Sequence, residues 1–202
     1  MDFDFAADAR AVLDARFAAR EAGFSASRLV IRASANAIRA LHRQEWDQAA
    51  QLIEEAGERY AAITERLVDH PDILHAGFVA DAGKEYTEAR VTRALFRGEP
   101  IPGFAELGVD PVPFLHGLGE AVGEMRRRML DMLREGDVAT AESTLVVMDE
   151  IVDLLAEIDY PDGMTNGLRR TTDVARALVE RSRSDLTATV VQERLREDLA
   201  RG

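Results

Sequence analysis

Two pairs of glutamates stand near the middle of the chain, each at helical spacing. Glu85 and Glu88 lie three residues apart in KEYTEAR, and Glu120 and Glu124 lie four residues apart in GEAVGEMRRR. Like charges at these spacings are neighbours on a helix and repel each other by roughly a few tenths of a kcal/mol. A divalent cation would offset this repulsion, because Mg²⁺ takes oxygen ligands and works with carboxylates and substrate phosphates. Four converging glutamates would suit metal-assisted phosphodiester chemistry, with Mg²⁺ or Mn²⁺ as the cation.

Each pair also has a simpler explanation. Glu85 and Glu88 taken alone are typical of a solvated helix face in an acidic protein. Three glycines, Gly117, Gly119 and Gly123, accompany the second pair, and glycine weakens a helix interior by roughly 1 kcal/mol relative to alanine. Such small residues indicate that another helix or a substrate backbone passes close by. Tight helix packing is therefore the alternative to a metal site there.

His116 stands one turn before Glu120 and shares a stripe of the predicted helix with Glu120 and Glu124. It could ligate the metal or shuttle a proton, although a lone helical histidine is more often a packed or surface residue. No Glu-x-x-His pair is present, which argues against a ferritin-like di-iron bundle. The sequence has no cysteine, which excludes disulfides, thiolate nucleophiles and cysteine-based zinc sites.

Arginine supplies nearly all of the positive charge, because Lys84 is the sole lysine. The arginines form local clusters that could bind backbone phosphates through charge-assisted hydrogen bonds. Tyr86, between Glu85 and Glu88, is the best-placed aromatic residue for stacking on a base. Salt bridging to the abundant acidic residues is the alternative for at least half of the arginines. The predicted nucleic-acid ligands are Arg28, Arg32, Arg39, Arg43, Tyr86, Arg127, Arg169 and Arg170.

The charge balance is strongly acidic, with a net charge of -12. An acidic surface poor in lysine indicates a salt-adapted, halophilic protein, although a GC-rich genome would also replace lysine with arginine. An acidic protein repels nucleic acid at low ionic strength, but at molar salt the Debye length is about 3 Å. Because counterion release also weakens as salt rises, RNA binding would have to use short-range contacts such as bidentate arginine, stacking and bridging metal.

The hydrophobic spacing predicts helix nearly throughout, with no alternating strand pattern. We expect an all-α bundle of long antiparallel helices in a single domain covering residues 1 to 202. Proline and glycine also mark the stretch GEPIPGFAELGVD as a loop between the two acidic helices. The seven predicted helices run from about Phe3 to Ala22, where Gly23 stops the helix, then Ser25 to Gln44, Trp46 to before Pro71, Asp72 to Gly98, Pro111 to Gly136, Asp137 to before Pro161, and Met164 towards the end.

Over most of its length the sequence resembles the translin and Trax proteins, which bind single-stranded nucleic acid and, in Trax, cleave RNA. The resemblance runs through RASANAIRALHR, EYTEA, ELGVDPVPFLHGLGEAVGEMRRR, LREGD and LRRTTDVAR. Nuclease-active members carry both glutamates of the E-x-x-E-A motif and acidic residues four apart on the next long helix. The resemblance thus implies that Glu85, Glu88, Glu120 and Glu124 are catalytic metal ligands. One departure is Glu120, where the active pattern has an aspartate.

The resemblance also implies a homo-oligomer, a hollow shell of eight subunits that encloses the nucleic acid. Our leading hypothesis is a Mg²⁺- or Mn²⁺-dependent endoribonuclease of the Trax type. The alternatives are a translin-like shell that binds single-stranded RNA or DNA without catalysis, and a purely structural helical oligomer. Translin lacks the complete first glutamate pair, which this chain retains. The N-terminal residues lack the basic and apolar regions of a signal peptide, and no stretch could span a membrane, which predicts a cytoplasmic location.

Overall fold

The computed structural model describes residues 5 to 201, and within that range it contains nine α-helices and no strand. The predicted all-helical fold class is confirmed, whereas the predicted start of the first helix at Phe3 lies outside the described residues. None of these helices combines the length and the apolar character that a membrane span requires. The helices are α1 Phe5–His42, α2 Trp46–Arg66, α3 Pro71–Leu74, α4 Gly77–Arg97, α5 Phe104–Leu107, α6 Pro111–Glu135, α7 Val138–Glu157, α8 Asp162–Thr165 and α9 Leu168–Arg201.

The contacts between residues divide the chain into two units. The first unit contains the residues up to 90 together with residues 102 to 113. The second contains residues 91 to 101 and the residues from 114 onward. Helix α4 passes from the first unit into the second at residue 91. That the chain forms one domain stays a prediction.

In the first unit, α1 continues without a break through Gly23, where the sequence analysis expected one helix to end and another to begin. Gly23 is buried, and a Cβ atom on it would lie 3.1 Å from Leu67 Cδ1 and 3.4 Å from the Phe78 ring. The glycine therefore allows other side chains to approach the helix closely, and it does not end the helix. Helix α1 packs along α2, and alanines such as Ala37 and Ala56, both fully buried, permit that close packing.

Helix α4 begins later than predicted. The chain from Pro71 forms the one-turn α3, then breaks at residues 75 and 76 before α4 starts at Gly77. Helix α4 ends as predicted before Gly98, which has a left-handed φ of 63°. The predicted loop that follows contains the one-turn α5. Arg90 Nη2 of α4 lies 3.6 Å from Glu106 Oε1 of α5, and this ion pair connects the two helices.

Helix α6 begins at Pro111 and ends at Glu135, close to its predicted bounds, and all of it from residue 114 onward belongs to the second unit. Asp137 caps α7 as predicted, because its side chain accepts a hydrogen bond from Thr140 N at 3.1 Å. The predicted last helix is interrupted: α8 ends where Asn166 and Gly167 take positive φ values of 51° and 78°, and α9 starts after them. Positive φ is incompatible with a continuing right-handed helix.

Candidate metal and nucleic-acid site

Two Gly-x-x-Tyr motifs position the part of α4 that carries Glu85 and Glu88. The rings of Tyr60 on α2 and Tyr86 on α4 stack with centroids 6.1 Å apart and an interplanar angle of 30°. A Cβ atom built on Gly57 would lie 2.7 Å from the Tyr86 hydroxyl oxygen, and one on Gly83 would lie 2.8 Å from the Tyr60 hydroxyl oxygen. Each tyrosine thus covers the glycine of the other helix, and larger residues at either glycine would push the helices apart.

Both tyrosines belong to the packed interior of the first unit. Tyr60 and Tyr86 are only 5% and 9% exposed. Burial, with a smaller contribution from Asp110, raises the pKa of Tyr60 to about 12. Burial also raises the pKa of Tyr86, against the opposing effect of Arg90. Stacking of Tyr86 on a base stays a prediction, and it would require the ring to leave its contact with Tyr60.

Packing in the second unit positions the part of α6 that carries Glu120. A Cβ atom on Gly119 would lie 2.6 Å from Thr171 Cγ2 of α9 and 3.2 Å from Leu155 Cδ1 of α7. Tight helix packing, one of the two explanations for this glycine, is therefore what the structure shows. Gly123 has more room, because its nearest neighbour would be Leu178 Cδ1 at 3.8 Å.

His116 has hydrogen-bond partners at both ring nitrogens. Nε2 lies 3.0 Å from the Thr165 carbonyl oxygen, which can only accept, so Nε2 carries the proton and donates. In the neutral ring, Nδ1 then accepts from Thr171 Oγ1 at 2.7 Å. His116 therefore links α6 to α8 and α9, which is a packed role, and a part in metal binding or proton transfer stays a prediction.

The structure brings three of the four predicted glutamates together. Glu85, Glu88 and Glu120 each offer a carboxylate oxygen, and these three oxygens lie within 4.8 Å of one another. We call these three residues the glutamate cluster. Glu88 is only 9% exposed, and Lys84 Nζ lies 3.4 Å from Glu85 Oε1. Glu124 is one turn further along α6 and is not part of the group.

The ligand atoms of the glutamate cluster are all hard oxygens. Such a set suits Mg²⁺ or Mn²⁺, whereas zinc sites generally include histidine or cysteine. The cluster could therefore hold a hard divalent cation. Sequence reasoning missed Lys84 as part of this site, although the sole lysine of the chain directly precedes Glu85.

Four of the predicted nucleic-acid ligands form a row, three of them on one face of α1 and the fourth in the turn directly after it. They follow one another at intervals of four, seven and four residues, which a helix of 3.6 residues per turn places on one side over about 22 Å. Arg39 Nη1 donates to Asn36 Oδ1 at 2.6 Å, and Arg43 donates twice to the Glu45 carboxylate at 2.9 and 2.7 Å. The other two arginines of the row have no ion pair within the described residues. The row comprises Arg28, Arg32, Arg39 and Arg43, all exposed.

The remaining predicted arginines lie in the second unit. Arg127 is exposed, and its Nη1 atom lies 4.0 Å from Glu124 Oε2. Arg169 and Arg170 are exposed in the first turn of α9, and neither forms an ion pair with any residue from 5 to 201. These positions leave the three guanidinium groups accessible to phosphate.

The fold of this chain is similar to the solved structures of two C3PO proteins. AfC3PO, in a crystal structure and in a structure of its complex with duplex RNA, matches with a TM-score of 0.85 and 34% identity over 92% of this chain and 96% of AfC3PO. Apo-NeC3PO shares the fold, with a TM-score of 0.82 at 20% identity over 90% of this chain and 95% of its own. An uncharacterized protein of Methanocaldococcus jannaschii is 27% identical over 184 residues, which are 90% of this chain and 81% of that protein. No protein-family model matches.

The all-helical fold and the glutamate cluster thus lie in a chain of the C3PO class. The chain belongs to the translin and Trax family, because it shares 34% identity with AfC3PO over 96% of that protein. The resemblance noted in the sequence is confirmed.

Proposed function

We propose that this protein is a divalent-metal-dependent endoribonuclease of the Trax type. The observation that carries the proposal is the glutamate cluster, in which three carboxylate oxygens from two different helices lie within 4.8 Å of one another. Membership in the translin and Trax family adds a second line of support. Three carboxylate oxygens at this separation form a set of hard oxygen ligands that suits a divalent cation.

Glu85, Glu88 and Glu120 would hold Mg²⁺ or Mn²⁺, with Glu124 one turn away as a further ligand. A cation bound there supplies Lewis acidity, which lowers the pKa of attacking water and neutralises charge developing on the scissile phosphate. The three carboxylates would fix the position of the reaction centre. Lys84, 3.4 Å from Glu85, adds a positive charge at the edge of the cluster.

RNA is the substrate class that we propose, because the AfC3PO complex contains duplex RNA. The exposed arginine row would bind the phosphates of a strand. We favour single-stranded RNA, since a flexible strand can adapt to the row, and DNA and duplex RNA are the competing substrates. For a halophilic cytoplasmic protein of this acidity, such binding would use the short-range contacts of the guanidinium groups.

We further propose that the protein assembles as a homo-oligomer of eight subunits. Large apolar side chains are exposed near the outer ends of the two longest helices. Phe5 and Phe17 on α1 are 68% and 64% exposed, and Leu195 and Leu199 on α9 are 58% and 74% exposed. Apolar surface of this extent is typical of protein–protein contacts. Light scattering in molar salt would give the subunit number, and a monomeric mass would contradict this part of the proposal.

The second candidate function is a shell that binds single-stranded nucleic acid without cleaving it. One observation favours it: Glu124 stands outside the glutamate cluster, which leaves three ligands in place of four. Glu120 also replaces the aspartate of the active pattern, and its longer side chain changes the position of the carboxylate.

The test compares Glu85→Gln/Glu88→Gln with the unsubstituted protein. Amide replacements keep the size of the side chains and remove their charge. The matched control is Glu54→Gln/Glu58→Gln, which removes two exposed carboxylates from α2. Labelled single-stranded and duplex RNA and single-stranded DNA are incubated in molar salt with Mg²⁺, with Mn²⁺ and with EDTA. We expect cleavage of RNA by the unsubstituted protein and the control, and at least a hundredfold slower cleavage by the first variant.

Equal cleavage by the first variant would show that the site assignment is wrong. If the protein binds RNA but cleaves it neither with Mg²⁺ nor with Mn²⁺, the binding shell is the correct function instead. Absence of both binding and cleavage would leave only the structural oligomer.

A further inference from the structure

The C-terminal end of α4 is closed by a side chain from α6. Backbone N–H groups of Gly98 and Glu99 donate to two of the last carbonyls of α4, at 3.3 and 2.9 Å. A third, the Phe96 carbonyl, accepts a hydrogen bond from Arg128 Nη1 at 2.7 Å. Because the last carbonyls of a helix have no partner within it, Arg128 acts as a cap supplied by a different helix.

Arg128 makes this contact at a cost. Its side chain is half-buried, and burial lowers its pKa from the usual range. Among the residues from 5 to 201, no carboxylate forms an ion pair with it. The compensation comes from the Phe96 carbonyl, from the negative end of the α4 dipole and from the Phe96 ring, whose centroid lies 4.4 Å from the guanidinium carbon.

The cap and the glutamate cluster lie on the same two helices at equal separations along the chain. Phe96 is eight residues after Glu88 on α4, and Arg128 is eight residues after Glu120 on α6. Eight helical residues correspond to about 12 Å. A slide of α4 along its axis would break the Arg128 contact and would also move Glu85 and Glu88 relative to Glu120.

We propose that Arg128 is a positioning residue of the metal site, which fixes the axial position of α4 against α6 and thereby sets the geometry of the glutamate cluster. The inference rests on the proposed metal site. The contacts of Arg128 are with the carbonyl and the ring of Phe96, and in this proposal it is not a metal ligand. It acts through the backbone of α4, and its role is to hold ligands from two helices ready for the cation.

The test measures binding of Mn²⁺ alone by titration calorimetry, without RNA. Replacing a residue that hydrogen-bonds directly to a metal ligand typically lowers metal affinity about 10- to 100-fold, and Arg128, which acts through the α4 backbone, should reach the lower end of that range. We therefore expect Arg128→Met, which keeps the apolar stem but removes the donor, to weaken Mn²⁺ binding at least tenfold. Arg128→Lys keeps a positive donor and should recover part of the affinity.

Arg126→Met is the matched control. Arg126 is the partly buried neighbour on α6, and it bonds to Ser182 at 2.9 Å and Asp185 at 2.7 Å on α9, not to α4. Its loss should lower stability while Mn²⁺ affinity changes by less than about twofold. If Arg128→Met does not fold, Arg128→Lys is compared with Arg126→Met instead. We then expect Mn²⁺ affinity to be lower in Arg128→Lys than in Arg126→Met.

The outcomes separate the two proposals. If the unsubstituted protein binds no Mn²⁺, the metal site and this inference are both wrong. If it binds Mn²⁺ and the Arg128 variants bind it equally well, or if Arg126→Met weakens binding as much, Arg128 has no positioning role and the metal site stands.

Discussion

Replacing Gly83 by alanine tests whether the tyrosine–glycine contacts hold α4 in place beside α2. The new Cβ atom would lie 2.8 Å from the Tyr60 hydroxyl oxygen and 3.1 Å from its Cζ atom, whereas ordinary contact begins near 3.4 Å. The Tyr60 ring cannot swing away easily, because it is 5% exposed and stacks on Tyr86. Overpacking of this kind costs about 1 to 3 kcal/mol. Against it stands a gain of about 1 kcal/mol from replacing glycine in a helix.

Gly123→Ala is the control that separates the two effects. It makes the same change in the interior of α6, where the nearest atom to the new Cβ would be Leu178 Cδ1 at 3.8 Å. This variant should gain the helix-propensity term of about 1 kcal/mol without overpacking. The two alanine variants should therefore differ in the free energy of unfolding by about 1 to 3 kcal/mol. At this chain length the difference corresponds to about 2 to 12 °C in Tm.

Thermal and denaturant unfolding followed by circular dichroism would measure both variants. A third variant, Gly83→Ala with Tyr60→Phe, removes the nearest oxygen and should recover at least about 0.5 kcal/mol beyond additivity. If Gly83→Ala stabilises the protein as much as Gly123→Ala does, the tyrosine does not fill the space over Gly83. The account of how α4 is positioned would then be wrong.

Two further predictions concern the ionisation of Tyr60 and the arginine row. Because the folded pKa of Tyr60 is about 12 and the unfolded value is 10, its contribution to stability is complete below pH 10 and is lost as the pH rises through 12. Denaturant unfolding between pH 9 and 12 should show a loss of about 2 kcal/mol that Tyr60→Phe removes, and an equal loss in that variant would contradict the buried hydroxyl. Arg28→Gln/Arg32→Gln should weaken RNA binding and lower the slope of log K against log salt by about 1.4, or about 0.7 per phosphate contact. Arg66→Gln/Arg181→Gln, which removes two exposed arginines elsewhere, should leave the slope unchanged, and equal effects in both pairs would mean that the row has no special role.

The helix ends show how far the sequence could predict the fold. Gly98 and Gly23 both looked like helix ends, but only Gly98 takes a left-handed φ and ends its helix. Gly98 is followed closely by Pro100, whereas Gly23 leads directly into Phe24 and further apolar residues. The helical state of Gly23 depends on its packing against Leu67, a contact between residues distant in sequence. Local propensity cannot contain that information.

The candidate site was predictable in its parts and less so in its assembly. Helical periodicity places Glu85 beside Glu88, but nothing in the spacing brings Glu120 to them. That pairing was implied by the family resemblance, and the structure shows it for three of the four glutamates.

Arg128 was missed because Arg127 was chosen from the same run of three arginines. The apolar stripe of α6 did contain a signal that separates them. Buried residues form this stripe along one side of α6. Their helical spacing puts Arg127 on the opposite side of the helix, and it puts Arg126 and Arg128 at the two edges of the stripe. Those stripe residues are Leu118, Val122, Met125 and Met129.

Stability and function make opposing demands on the glutamate cluster. Three carboxylates within 4.8 Å repel one another, and Lys84 Nζ, 3.4 Å from Glu85 Oε1, offsets part of that repulsion. Contacts made elsewhere on α4 and α6 hold the segments that carry the glutamates. The tyrosine–glycine packing holds α4, the His116 hydrogen bonds hold α6, and Arg128 joins the end of α4 to α6. Because these contacts are already formed, a divalent cation would enter a site whose ligands need little rearrangement, and its charge would relieve the repulsion that the fold sustains.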